Sequence, residues 1–144
     1  MKKYIALLMV LMMGVPAMAM AVDYGKQKAV YHINGGDERQ NGLALRNIQN
    51  HINAVGADNM QINVVMHGGG IDLMMRAVEN ENLKASIDNL KMQNVKFQVC
   101  NNTLVGRKID HKSQMYSVDD SDIVPSGVAH LSYLQAQGYT YVKP

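Results

Sequence analysis

The sequence predicts an α/β fold: a mainly parallel five-stranded sheet with helices on both faces. Two observations carry that reading. Short β-rich runs ending in glycine, asparagine or cysteine alternate with longer segments whose apolar residues recur at three- and four-residue steps. Helical segments between strands are also the connections that parallel pairing needs, and right-handed crossovers follow from strand twist.

Taken in order, Ala29–Ile33 is a buried strand closed by Asn34, Gly35 and Gly36. From Asp37 to Val55 the period changes, with Leu45, Ile48, Ile52 and Val55 on one helical face and Gly56 suited to the stop. Gln61–Met66 is the second strand, and His67 and three glycines follow it. Helical segments are expected over Ile71–Ala77 and from Leu83 to Gln93, where Leu83, Ile87 and Leu90 share a face. Val95–Cys100 is the third strand, "DIVPSG" holds a very short fourth, Val128–Gln137 is a helix stopped by Gly138, and "YTYVK" is the fifth strand. The polar runs between Asn101 and Ser121 read as exposed, mobile connections. No repeat and no second domain is visible.

The chain opens with Lys2 and Lys3, an apolar run from Tyr4 to Val15, then Pro16 and small residues at Ala17, Ala19 and Ala21. This is the layout of a secretory signal peptide with cleavage expected after Ala21, leaving one domain over residues 22–144. A membrane span needs about 20 apolar residues, so this run is too short for an anchor. Export to the periplasm, with no membrane attachment after cleavage, is the expectation. The 144 residues include 14 basic and 12 acidic side chains. Without Lys2 and Lys3 the two balance, so charge gives no support to nucleic-acid binding. Half of the 12 methionines lie in the leader, and the rest, among them Met60, Met66 and Met115, are scattered at core-like positions rather than in a copper-binding tract. A chain of this length can bury a core without disulfides, and with one cysteine it has no internal disulfide and no C-x-x-C motif.

In open parallel sheets, ligands bind beyond the carboxyl ends of the strands. His32, Asn34, Gly35 and Gly36 fall there after the first strand, and His67, Gly68, Gly69 and Gly70 after the second. Cys100, Asn101 and Asn102 follow the third, and Pro125, Ser126 and Gly127 the fourth. Cys100 is the expected catalytic residue; His32, Asn34, His67, Gly68, Gly69, Asn101, Asn102, Ser126 and Gly127 are the expected binding residues. The "HGGG" run resembles a lipase oxyanion loop, but the G-x-S-x-G elbow is missing. Neither glycine run fits G-x-G-x-x-G or G-x-x-x-x-G-K-[ST], so the glycines read as turn residues that let backbones approach. His32, His67 and Cys100 lack dense metal-ligand spacing, and hydrogen-bonding histidines are the favoured reading over a metal site. His51, His111 and His130 read as solvated. Asn101–Thr103 is a formal glycosylation sequon, meaningful only in a eukaryotic secretory route.

Cys100 stands between two readings. One is a small buried hydrophobe. The other is a reactive thiol, with a helical turn after the strand favouring the thiolate and Arg107 or Lys108 adding positive potential.

The runs "VVMHGGGIDLMM", "VKFQVCNNTLVGRKID" and "IVPSGVAHLSYLQAQGYTYVKP" resemble exported members of the DsrE/DsrF-like family. The likeness extends from "KAVYHIN" to the C-terminal "YTYVKP", and the cysteine-bearing strand end and the tail are its most specific parts. The resemblance implies a three-layer α/β/α sandwich, assembly into trimers or hexamers, and no cofactor. In intracellular sulfur-relay members, a cysteine after the equivalent strand carries sulfur as a persulfide, and Cys100 occupies that place. Sulfur-donor and sulfur-acceptor proteins are then the implied partners. The alternative is a non-catalytic homo-oligomeric module that binds a small anion or metabolite at the strand ends, with a His/Cys metal site a third reading.

Overall fold

The computed structural model describes residues 22–144; the predicted leader, 1–21, lies outside the described residues. Five strands, β1 (Gln27–Ile33), β2 (Met60–Met66), β3 (Lys96–Cys100), β4 (Ile123–Val124) and β5 (Thr140–Val142), form one sheet in the order β4-β3-β2-β1-β5. Every pairing is parallel. Six α-helices connect them: α1 (Glu38–Val55), α2 (Asp72–Ala77), α3 (Glu81–Met92), α4 (Asn101–Arg107), α5 (His111–Gln114) and α6 (Gly127–Ala136). Among the described residues no helix is long and apolar enough to cross a membrane.

Strand alternation divides the core into two unequal layers. Ala29, Tyr31 and Ile33 of β1, Ile62, Val64 and Met66 of β2, and Phe97 and Val99 of β3 pack with Ile48, Leu73 and Ile87 from α1, α2 and α3. On the opposite face Val30 and Val65 meet Leu131 and Leu134 of α6. That single helix crosses the sheet between its two edge strands, β4 and β5, so helices do cover both faces as expected.

Local chemistry explains the helix ends. Asp37 caps α1 by accepting the Gln40 N–H at 2.7 Å, and Gly56 closes it at φ 92°. Asn80 caps α3 and Ser126 caps α6 in the same way. The segment expected to be a mobile connection is instead largely helical. α4 and α5 occupy it, and Leu104, Met115 and Val118 are buried against the main core. The sequence reading was misled by the polar residues around those three anchors.

Two glycine loops close the carboxyl edge by backbone contact. A Cβ on Gly70 would lie 2.0 Å from the Ile33 carbonyl oxygen, and one on Gly69 would lie 2.6 Å from the Gly36 nitrogen. The same Ile33 carbonyl accepts the His67 N–H at 3.2 Å, which extends the β1–β2 ladder by one rung. Gly42, inside α1, has open space where a Cβ would go. Urea denaturation separates the two kinds of glycine. Gly70→Ala is expected to cost about 3 kcal/mol or more, because backbone must move, while Gly42→Ala gains about 0.5–1 kcal/mol from helix propensity.

Candidate functional site

Cys100 ends β3 and stands at the N-cap of α4, with extended backbone (φ −73°, ψ 117°). It pairs with Val124 of β4 and is only 4% exposed. Burial pushes its thiol pKa up. The Gly127 N–H, the Thr103 hydroxyl and the N–H groups of Thr103 and Asn102 favour the thiolate more strongly, and the net shift is downward. So the thiol is buried and at the same time ringed by groups that favour its thiolate, where the sequence posed burial and reactivity as alternatives.

Gly127 lets the fourth loop approach this closely. A Cβ there would meet the Cβ of Cys100 at 3.2 Å and the Cβ and Cδ2 of His67 at 3.1 and 3.3 Å. With hydrogen instead, the first residue of α6 sits between the cysteine and the histidine and turns its N–H toward the sulfur. Thr103 ties the cluster to the glycine loop, because its hydroxyl oxygen accepts the Gly68 N–H at 3.0 Å. Arg107 reaches the same loop: Nη1 donates to the Gly68 carbonyl at 3.2 Å and pairs with Asp72 at 2.7 Å. Its charge is matched by that carboxylate rather than directed at the thiol.

His32 and His67 face one another, with their Nε2 atoms 2.7 Å apart. At that distance one nitrogen donates and the other accepts, so the facing pair has room for one proton between them. His32 Nδ1 lies 2.7 Å from the Tyr141 hydroxyl. Burial, the Lys143 charge and His67 push the His32 pKa down to about 4; burial and Lys143 lower that of His67. Both rings are therefore neutral at neutral pH. Among the described residues no group of three His, Cys, Asp or Glu side chains is arranged to hold a metal ion.

The expected site residues divide accordingly. His32, His67, Cys100 and Gly127 come together, Asn102 contributes its N–H, and Gly68 and Gly69 shape the adjoining loop. Asn34 instead accepts Lys143 Nζ at the β1 edge, Ser126 serves as the α6 cap, and the side chain of Asn101 is exposed. Thr103, Tyr141 and Lys143 were missed. Thr103 was read only as part of a sequon, and the other two sit in the C-terminal tail, whose pairing with β1 no local pattern reveals. The histidines expected to be solvated are also engaged: His51 bridges Tyr31 and Gln27, His111 contacts Asp120, and His130 contacts Gln98.

Fold and site together define a single-sheet α/β protein with a donor-ringed cysteine at its carboxyl edge. The chain belongs to the DsrE/DsrF-like family, whose model matches residues 27–144. It is similar to the protein of unknown function MTH1491 from Methanobacterium thermoautotrophicum. The two are 28% identical, with a TM-score of 0.70 over 83% of this chain and all of that one. No functionally curated protein matches.

Two predictions follow from these environments. The ultraviolet absorbance of the thiolate, followed against pH, is expected to give a Cys100 midpoint below that of an ordinary thiol, and Thr103→Val raises it. The second concerns acid stability. Unfolded histidine titrates near 6.5 and folded His32 near 4. Between those values the unfolded state binds more protons, so this contribution is complete above 6.5 and declines as pH falls toward 4. Thermal unfolding in that window should show a smaller loss for His32→Gln than for the wild type.

Proposed function

We propose that this protein carries sulfane sulfur as a persulfide on Cys100. The observation that carries the reading is the set of N–H and hydroxyl groups around a buried thiol, which favour its anion. Family membership is consistent with a sulfur-relay role. Loading begins when the Cys100 thiolate attacks the outer sulfur of a donor of the form R–S–S⁻. An Sγ–S bond forms, the donor's S–S bond breaks, and R–S⁻ leaves with the bonding pair. For unloading, an acceptor thiolate attacks the outer sulfur and Cys100 departs as its thiolate. The same donors that stabilise the resting thiolate stabilise that leaving group, and no resolving cysteine competes for the persulfide.

We assign this activity to the periplasm or an equivalent exported compartment, a reading supported by the leader-like segment through Ala21. We assign a homotrimer or homohexamer as the working assembly, which light scattering of the purified protein measures. A second reading is favoured by one observation, the 4% exposure of Cys100. On that reading the strand-end cluster binds a small anion or metabolite without covalent chemistry.

Intact-mass analysis after polysulfide treatment tests the choice. The carrier predicts the added mass of one sulfur atom on the wild type, removed by a reducing thiol and absent in Cys100→Ser. An unmodified, still alkylatable Cys100, with ligand binding retained in Cys100→Ser, assigns the protein to the binding module instead.

A further inference from the structure

The sheet order lines up four side chains, of which the sulfur step uses one. Strands β3, β2, β1 and β5 are consecutive neighbours, and they bring Cys100, His67, His32 and Tyr141 in that order along the carboxyl edge. Met66 pairs with Val99 in parallel register, so the following residues, His67 and Cys100, stand side by side. Both belong to the α6 face, as Val65 and Gln98 do two residues earlier. From His67 onward the row is hydrogen-bonded, Nε2 to His32 Nε2 at 2.7 Å and His32 Nδ1 to the Tyr141 hydroxyl at 2.7 Å. Tyr141 is 41% exposed. At the other end, no described residue meets His67 Nδ1, and it is not one of the atoms sealed from solvent without a partner.

Such a chain has two neutral arrangements. In one, Tyr141 donates to His32 Nδ1, His32 Nε2–H donates to His67 Nε2, and His67 Nδ1 carries a proton. In the other every bond is reversed, so that His67 Nδ1 is a bare acceptor and the Tyr141 hydroxyl donates to solvent. A proton taken up at that bare Nδ1 moves on from Nε2 to Nε2, then to the Tyr141 oxygen, which releases its own proton to solvent. Both rings begin and end neutral, and exchange with water at the two open ends resets the chain. Burial and the Lys143 charge, which lower both histidine pKa values, keep either ring from storing the proton as a cation. The other ionisable neighbours are Tyr141 on β5 and Cys100 on β3; from α6, Gly127, Val128 and Ala129 bring no charge, and Arg107, bonded to Gly68, is paired with Asp72. The groups that ring Cys100 cannot take a proton themselves, being three backbone N–H groups and a hydroxyl whose oxygen already accepts the Gly68 N–H.

We propose that His67, His32 and Tyr141 form a proton relay that serves sulfur unloading, an inference that rests on the carrier reading. An acceptor thiol entering beside Cys100 gives its proton to His67 Nδ1 while its sulfur attacks the outer sulfur of the persulfide. The new S–S bond forms, the Sγ–S bond breaks, Cys100 leaves as its thiolate with the bonding pair, and one proton emerges at Tyr141. His67 is the base that meets the acceptor; His32 and Tyr141 act through it. To test this, full-length protein loaded with polysulfide is mixed at neutral pH with β-mercaptoethanol, largely un-ionised there, or with para-nitrothiophenolate, already ionised. Loss of the sulfur atom is timed by intact mass. His67→Gln is expected to slow transfer to β-mercaptoethanol roughly a hundredfold, the lower end of what a positioned general base contributes, and to leave transfer to the thiophenolate at the wild-type rate. Raising the pH toward the pKa of β-mercaptoethanol closes the gap. Tyr141→Phe, which removes one exposed hydroxyl, shows the same selective slowing to a smaller degree and carries the test if His67→Gln does not fold. Equal slowing with both thiols in His67→Gln, the mark of a packing role, overturns the relay, as does a Tyr141→Phe protein that matches the wild type with both. A wild type that never gains the sulfur atom removes the carrier reading and the relay with it, whereas the two preceding results remove the relay alone.

Discussion

The contact on which the rest depends is backbone against backbone at the carboxyl edge. Gly69 lies on Gly36 and Gly70 on the Ile33 carbonyl, at separations that leave no room for a Cβ. That contact sets the loop after β2 directly against the loop after β1, so His67 extends the strand ladder and meets His32 ring to ring. α4 is then drawn to the same loop by Thr103 and Arg107, each bonded to Gly68. Because α4 starts at Cys100, the position of the thiol follows from where the glycines let two backbones meet. The Arg107–Asp72 pair is partly exposed and adds at most about 1 kcal/mol; the steric fit decides the geometry.

The electrostatics of the edge are layered across the sheet. At β3 a buried sulfur is surrounded by neutral donors, which suits an anion without placing a full positive charge on it. At β1 and β5 the charge is explicit, in Lys143, which lowers the pKa of both histidines. Between them stands a neutral histidine pair that shares one proton position. The donor-ringed sulfur and the Lys143 charge are thus separated by a pair of rings held uncharged by burial and by Lys143.

Most of the fold was legible because its signals are local. The capping Asp37, the stop at Gly56 and the 3.6-residue spacing of Leu45, Ile48 and Ile52 delimit α1 to within a residue. The β-rich runs likewise located all five strands. The site was legible only as far as strand ends identify it. Cys100, His32, His67 and Gly127 each lie at or just beyond the carboxyl end of a strand, and parallel pairing brings them together. Thr103 and Lys143 act through contacts about 35 and 109 residues apart in the chain, with Gly68 and Asn34, and no spacing rule reaches that far. The polar appearance of Asn101–Ser121 hid two helices, because three buried anchors suffice to hold them. The solvated reading of His51, His111 and His130 failed for a similar reason, since their partners lie on other elements or loops.

A crystal structure of polysulfide-treated protein tests the central claim most directly. A second sulfur atom bonded to Cys100 Sγ is expected, with the N–H groups of Gly127, Asn102 and Thr103 still turned toward the sulfur pair. An unmodified Sγ in crystals of treated protein, or a persulfide that has left this ring of donors, would contradict it.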